Sequence, residues 1–159
     1  MNWEAIGAIS GIVGTLALLV TLLYLAIQIR NNTNAVKSEN VHRVTDSFNA
    51  LNTLLASDSE LADLWLRGSR NYQDLTDTEK GRFGFIQLAA FRIYDSLYYQ
   101  IQRATTDDEL WKTELDTIRW VFSFPGMRMW WRQQRFNFSP GFKEYIDDIV
   151  FESGRDDLT

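Results

Sequence analysis

The pattern of hydrophobic and polar positions divides the chain into an apolar first part and a mixed remainder. Residues 5–27 contain no charge, and Glu4 and Arg30 flank this run. As a helix it spans about 34 Å, more than the roughly 30 Å of a bilayer core. A secretory signal would need a basic start, a shorter apolar core and a small-residue cleavage site, and the run has none of these. The pattern predicts one transmembrane helix, with a buried core helix as the alternative.

The apolar periodicity continues beyond the span without a helix breaker to about Ala56. Hydrophobic residues recur at alternating spacings of three and four, which is typical of a packed helix. These positions are Val41, Val44, Phe48, Leu51 and Leu55. The membrane helix is therefore predicted to run into a juxtamembrane helix, with residues 31–34 as the place where it could bend.

Further helices are predicted at 58–70, 77–104, 107–122, 125–136 and 140–152, because several of their starts carry capping signals. Capping boxes begin at Ser57, Thr76 and Thr106, and Ser139 precedes Pro140. No segment alternates as a strand does. The predicted class is all-α: an N-terminal transmembrane helix that continues into a cytoplasmic helical bundle. We divide the chain into an anchor at 1–30, a bundle at 31–153 and a frayed tail at 154–159. The helix at 77–104, apolar on nearly all sides, is predicted to be the centre of the bundle.

Composition excludes several kinds of chemistry. The 159 residues contain no cysteine and one histidine, His42, so disulfides, a thiolate nucleophile and cysteine or histidine-rich metal sites are excluded. A net charge of −5 argues against a nucleic-acid binder. Neither a Gly-rich phosphate loop nor a nucleophile motif is present. We therefore expect no catalytic activity, no cofactor and no nucleic-acid partner.

One side of the predicted span carries small and polar residues at three- and four-residue spacings. This transmembrane seam consists of Gly7, Ser10, Gly11, Gly14, Ala17, Thr21, Tyr24 and Gln28. Helices in lipid associate where small residues allow close approach and where polar side chains bond across the interface. The seam predicts a helix partner in the membrane, although small residues are also common in membrane helices that have none. A pore is a weaker interpretation, because the seam has no ionisable residue to mark an ion path.

The orientation follows from the few charges beside the span. Arg30, Lys37 and Arg43 lie after it, whereas only the α-amino group lies before it. The positive-inside bias places the C-terminal bundle in the cytoplasm and the N-terminus outside.

The most distinctive soluble stretch is the basic-aromatic segment at residues 118–143, which has five basic residues and no acidic one. Arg128, Arg132 and Arg135 would form one stripe on a helix, beside Trp130 and Trp131. This composition suits anionic lipid headgroups or a protein partner. The alternative is that the aromatic residues belong to the core and the arginines pair with nearby acids.

Arg92 and Asp95 interrupt the apolar run of the central helix at a spacing of three residues. We expect a buried ion pair here. Such a pair more often fixes how helices dock than binds an anionic ligand, although tyrosines nearby leave that second reading open.

Five stretches resemble small single-pass membrane proteins of bacteria that have no assigned function. The similar residues are 2–9 with 24–33, 82–85, 98–100 and 108–111. The resemblance covers most of the chain and implies a bacterial inner-membrane location, but it implies no activity and no site residue. Together with the seam, it leads us to expect a non-catalytic assembly or scaffold protein. That protein would self-associate through its transmembrane and juxtamembrane helices. The alternatives are an accessory subunit of a larger membrane complex and an enzyme that acts on a lipid-like substrate.

Overall fold

Six α-helices make up most of the chain in the computed structural model, which describes residues 3–103 and 108–155, with side chains at 11–103 and 109–151. The helices are α1 (Trp3–Ser57), α2 (Ser59–Arg70), α3 (Asp77–Gln102), α4 (Asp108–Ser123), α5 (Pro125–Gln134) and α6 (Pro140–Arg155), with short 3₁₀ turns at Tyr72–Asp74 and Arg135–Asn137. No β-strand occurs within the described ranges, so the predicted all-α class is confirmed.

Helix α1 is a single uninterrupted helix of 55 residues, about 83 Å long. It passes through residues 31–34, where the sequence suggested a bend, without losing its helical hydrogen bonding. The predicted boundary between anchor and bundle, at residue 30, therefore falls inside one helix. The first part of α1 is long and apolar enough to cross a membrane, and none of its apolar window is buried by the rest of the chain.

Helix α3 lies at the centre of the bundle and packs against the second half of α1. The Phe48 ring of α1 lies 4.8 Å from the Tyr94 ring of α3. The Phe91 ring, 1% exposed, lies within 5.3–6.2 Å of rings from α4, α5 and the turn before α6. However, Phe85 on the same helix is 75% exposed. The expectation that α3 is buried on nearly all sides is therefore wrong, because its neighbours cover only one broad face.

Helix starts follow the capping chemistry in part. Thr76 and Glu79 form the predicted capping box of α3. At α2 the cap is Asp58 rather than Ser57, since the Asp58 carboxylate accepts from two backbone N–H groups while the Ser57 hydroxyl donates to Leu54. Helix α6 begins at Pro140, as predicted. The third predicted box starts at Thr106, outside the described residues.

Helices α2 and α5 meet at two glycines. A methyl group on Gly126 would overlap the carbonyl oxygen of Gly68 and come within 2.6 Å of that of Ser69. A methyl group on Gly68 would come within 2.5–2.6 Å of the Phe83 ring of α3. Glycine at both positions therefore lets three helices approach each other closely.

At the C-terminus, α6 extends to Arg155 and thus includes two residues of the predicted tail. The remaining tail residues, 156–159, lie outside the described part of the chain.

Candidate functional site

The largest uncovered surface of the described chain is the first part of α1. Every residue from Gly11 to Val36 is exposed, including 13 large aliphatic or aromatic side chains. An isolated apolar surface of this size in water would be strongly unfavourable, since each buried CH₂ group contributes about 0.8 kcal/mol. Such a surface is typical of a segment that contacts lipid or another protein.

The transmembrane seam lies open along this surface. Nothing is within 4 Å of the position where a Cβ would stand on Gly11 or Gly14. The Thr21 hydroxyl donates to the Ala17 carbonyl at 2.9 Å, so this polar group is satisfied within its own helix. Gln28 is exposed, and no described residue bonds its amide. The surroundings of Gly7 and Ser10 lie outside what the structure describes.

The juxtamembrane positions pack within the chain. Val44 is buried, and Val41, Phe48, Leu51 and Leu55 are half-buried. Their half of α1 contacts α3 and α2. The bundle of the same chain already packs on this face, and the role of these residues in bringing two copies together stays a prediction.

The basic-aromatic segment is mostly interior. Trp130 and Trp131 are fully buried, and both rings lie within 5.6 Å of the Phe91 ring. Arg128 is 7% exposed and donates through Nη1 to the carbonyls of Phe122 and Ser123 at 2.7 and 2.8 Å. It thus caps the end of α4. The prediction that Arg128, Trp130 and Trp131 dock lipid or a partner is wrong, because all three side chains are buried.

The other two arginines of the predicted stripe are exposed. Arg135 pairs with Asp147 at 2.7 Å, and the Trp131 indole N–H donates to the same carboxylate at 2.9 Å. Asp147 thereby ties α6 to the end of α5. Arg132 is exposed, so the predicted stripe contributes one arginine that is not used by the fold.

The predicted buried ion pair is not formed. Arg92 is exposed, and the half-buried Asp95 accepts from the Ser139 hydroxyl at 2.6 Å and from its backbone N–H at 3.1 Å. The carboxylate therefore fixes the start of α6 rather than neutralising Arg92. The two donors are the backbone N–H and the hydroxyl of Ser139, in the loop before α6. The sequence does not reveal that this loop lies beside Asp95.

Sequence reasoning missed the contact between Tyr94 of α3 and Glu114 of α4. The buried Tyr94 hydroxyl bonds the Glu114 carboxylate, and burial, followed by the nearby Glu114 charge, raises the pKa of Tyr94 well above its ordinary value. Burial also raises the pKa of Glu114, against the opposing hydrogen bond from Tyr94. A signal was present: Glu114 falls among Trp111, Leu115 and Ile118, whose spacing marks the packed face of α4.

A second missed feature is a charged cleft of about 380 Å³ between α2 and α3. Arg67 bridges Asp63 and Glu79 there, at 2.7 Å to each. The Thr76 backbone N–H, then the Arg67 guanidinium, lower the pKa of Glu79 to about 2. The ion pair of Arg67 with Glu79 joins α2 to α3, and we call the cluster of Asp63, Arg67 and Glu79 the clasp between the two helices. No group of acidic or histidine side chains suited to a metal ion occurs among the described residues.

A partly exposed aromatic patch is formed by Trp120 and the half-buried Trp65 and Phe124. The ring of Trp120, 54% exposed, lies 6.2 Å from Trp65 and 5.2 Å from Phe124. Its composition is that of a protein-contact surface.

Comparison with known proteins adds no relative: no family model, curated protein or solved structure matches this chain.

Proposed function

We propose that this chain is a single-pass protein of the bacterial inner membrane that acts as a non-catalytic assembly component. It associates with further copies of itself through the transmembrane seam, and its bundle lies in the cytoplasm. The observation that carries the proposal is the complete exposure of α1 from Gly11 to Val36.

The chemistry of the seam supports a helix partner rather than lipid alone. Gly11 and Gly14 leave a groove that a second backbone can enter closely, which increases van der Waals contact. The amide of Gln28, near the membrane boundary, is satisfied best by another polar group on a neighbouring helix. Packing within the chain occupies the juxtamembrane positions, so self-association is assigned to the span alone.

The native mass of the detergent-purified full chain tests this proposal. We expect a multiple of the 18.5 kDa chain mass by native mass spectrometry. The double variant Gly11→Leu/Gly14→Leu should run as a single chain, because leucine side chains fill the groove. The matched control, Leu16→Phe/Leu19→Phe, adds bulk to the opposite face and should keep the wild-type mass. A monomeric wild type, or an unchanged mass in the glycine variant, would contradict self-association.

An accessory-subunit role is the second candidate, and the exposed patch of Trp65, Trp120 and Phe124 favours it. In that case, particles purified from native membranes would contain a different polypeptide. Trp120→Ser should release that polypeptide without changing the fold, since most of the Trp120 side chain is exposed. A third candidate is an enzyme that uses Arg92 and Asp95. It was based on a buried ion pair between these residues, and that pair is not formed.

A further inference from the structure

A cleft between α1 and α3 has the chemistry of an anion site. It has a volume of about 350 Å³, within the range of small-molecule pockets. Its polar lining comes from two helices: Asn40, Arg43 and Ser47 from α1, and Arg92, Ser96 and Gln100 from α3. Two aliphatic side chains complete the lining.

The charge in this cleft is positive. Two guanidinium groups line it, and no carboxylate does. Arg43 pairs with Glu39 at 2.6 Å, but this pair is exposed, and Glu39 lies outside the lining. Arg92 is exposed, and no carboxylate pairs with it within the described residues. One of the two guanidinium groups is therefore unpaired, and the other has a competitor that solvent weakens.

The hydrogen-bonding groups suit phosphate oxygens. Guanidinium groups bind phosphate through two parallel N–H donors, and serine hydroxyls donate to the remaining oxygens. Ser96 supplies such a hydroxyl, which accepts a 3.2 Å hydrogen bond from Gln100 and keeps its own proton to donate, whereas the Ser47 hydroxyl on the opposite wall donates to the Arg43 carbonyl at 2.8 Å. We propose that the α1–α3 cleft binds a small phosphate-bearing solute.

The position of the cleft selects the aqueous source of this phosphate over a lipid headgroup. Asn40 and Ser47 lie 10 and 17 residues after Arg30 in an unbroken helix, hence about 15 and 25 Å along its axis. The headgroup layer on each side of a bilayer is only about 5–8 Å thick. This choice of source rests on the proposed span, whereas the binding itself does not.

Isothermal titration calorimetry on the full chain in a non-ionic detergent tests the proposal, with inorganic phosphate and pyrophosphate as probes. We expect saturable binding that Arg92→Ala weakens about tenfold or more, as loss of a charge-assisted contact predicts. The matched control is Arg132→Ala, which removes another exposed arginine and should bind like the wild type. Glu39→Gln should bind several-fold tighter, because Arg43 then loses its competing carboxylate.

Either of two results overturns the site: no binding of either probe to the wild type, or equal weakening in Arg92→Ala and Arg132→Ala. Helical circular dichroism of each variant confirms that the fold is kept, as the exposure of both arginines predicts. If the wild type binds neither soluble probe but binds nanodiscs that contain phosphatidylglycerol, the proposed aqueous solute is overturned and a lipid headgroup replaces it. None of these measurements depends on the native mass, so they are separate from the test of self-association.

Discussion

Arg128 belongs to a segment whose composition suits a docking surface, but its side chain is buried. Its guanidinium lies at the junction of α4 and α5 and bonds the last carbonyls of α4. Replacing it with methionine keeps much of the volume but leaves these carbonyls without their donor, at a cost of about 2–3 kcal/mol. Chemical denaturation should show this loss in Arg128→Met. Arg132→Met on the same helix should change the unfolding free energy by less than about 0.5 kcal/mol.

Gly126 provides a second test at this scale, because the overlap is with backbone atoms that cannot rotate away. We expect Gly126→Ala to lower the unfolding free energy by about 3 kcal/mol or more. Gly81→Ala is the matched control in the exposed first turns of α3, where nothing lies within 4 Å. It should stabilise the chain by about 0.5–1 kcal/mol through helix propensity. Similar losses in both variants would contradict the close contact.

At the residue scale, the sequence predicts chemical character better than location. It identifies the aromatic and basic residues at 118–143, but it leaves open whether Arg128, Trp130 and Trp131 form a docking surface or belong to the core, and the structure places them in the core. Burial of these residues depends on where α3 and α4 pack, and periodicity within α5 contains no information on that packing. The same limit applies to Asp95, whose partner, Ser139, is 44 residues away.

Between elements, the contact of Tyr94 with Glu114 makes α3–α4 packing sensitive to pH. Burial raises the pKa of Glu114, so the folded chain binds this proton more tightly than the unfolded chain. Stability from this group is present at low pH and decreases as pH rises through the interval between the ordinary and the raised pKa. Glu114→Gln keeps an acceptor for Tyr94 and should be more stable than the wild type at pH 7–8.

The control for Glu114 is Asp116→Asn on the exposed side of α4, where the carboxylate pairs with Arg119. Urea unfolding across pH 4–8 should show the difference for Glu114→Gln alone. A pH profile of Glu114→Gln parallel to that of the wild type would contradict the assignment.

The clasp between α2 and α3 gives stability a pH dependence opposite to that of Glu114. The pKa of Glu79 is lowered to about 2 from its ordinary 4.5, so its contribution is present above pH 4.5 and is lost as pH falls toward 2. Wild-type stability should therefore decrease through this acid interval more steeply than that of Glu79→Gln. Urea midpoints measured at pH 5, 4, 3 and 2 check this, and equal slopes would show that the clasp does not stabilise the fold.

At the element scale, the 3-4 spacing of apolar residues correctly predicts which face of α1 packs, but not what it packs against. An a/d seam from Val41 to Leu55 is compatible with a second copy or with another helix of the same chain. Here α3 takes the position, and its Tyr94 ring packs against Phe48. The starts of helices are better predicted, since the capping of Thr76 by Glu79 is a local interaction.

For the whole molecule, the unbroken α1 joins the apolar segment to the bundle as one rod. Asn40 of α1 lines the cleft with α3 and lies about 15 Å beyond Arg30 along the helix axis. Nothing in the described chain covers residues 31–36 between these levels. With α1 across the membrane as proposed, the bundle would not contact the lipid headgroups, and residues 31–36 would be exposed to water.

The absence of cysteine allows this arrangement to be tested with single-cysteine variants and a membrane-impermeant maleimide. Leu19→Cys should remain unlabelled in proteoliposomes and native vesicles, because a thiol in lipid does not form the reactive thiolate. Asn34→Cys and Ser57→Cys should both be labelled, the first because the bundle leaves it uncovered. In bacterial cells these two should react only after the inner membrane is permeabilised, since the proposed orientation places them in the cytoplasm.

Protection of Asn34→Cys in opened vesicles would show that the bundle or the bilayer reaches this level. Labelling of Leu19→Cys would show that α1 does not cross the membrane, and the open seam would then have to be covered by protein alone.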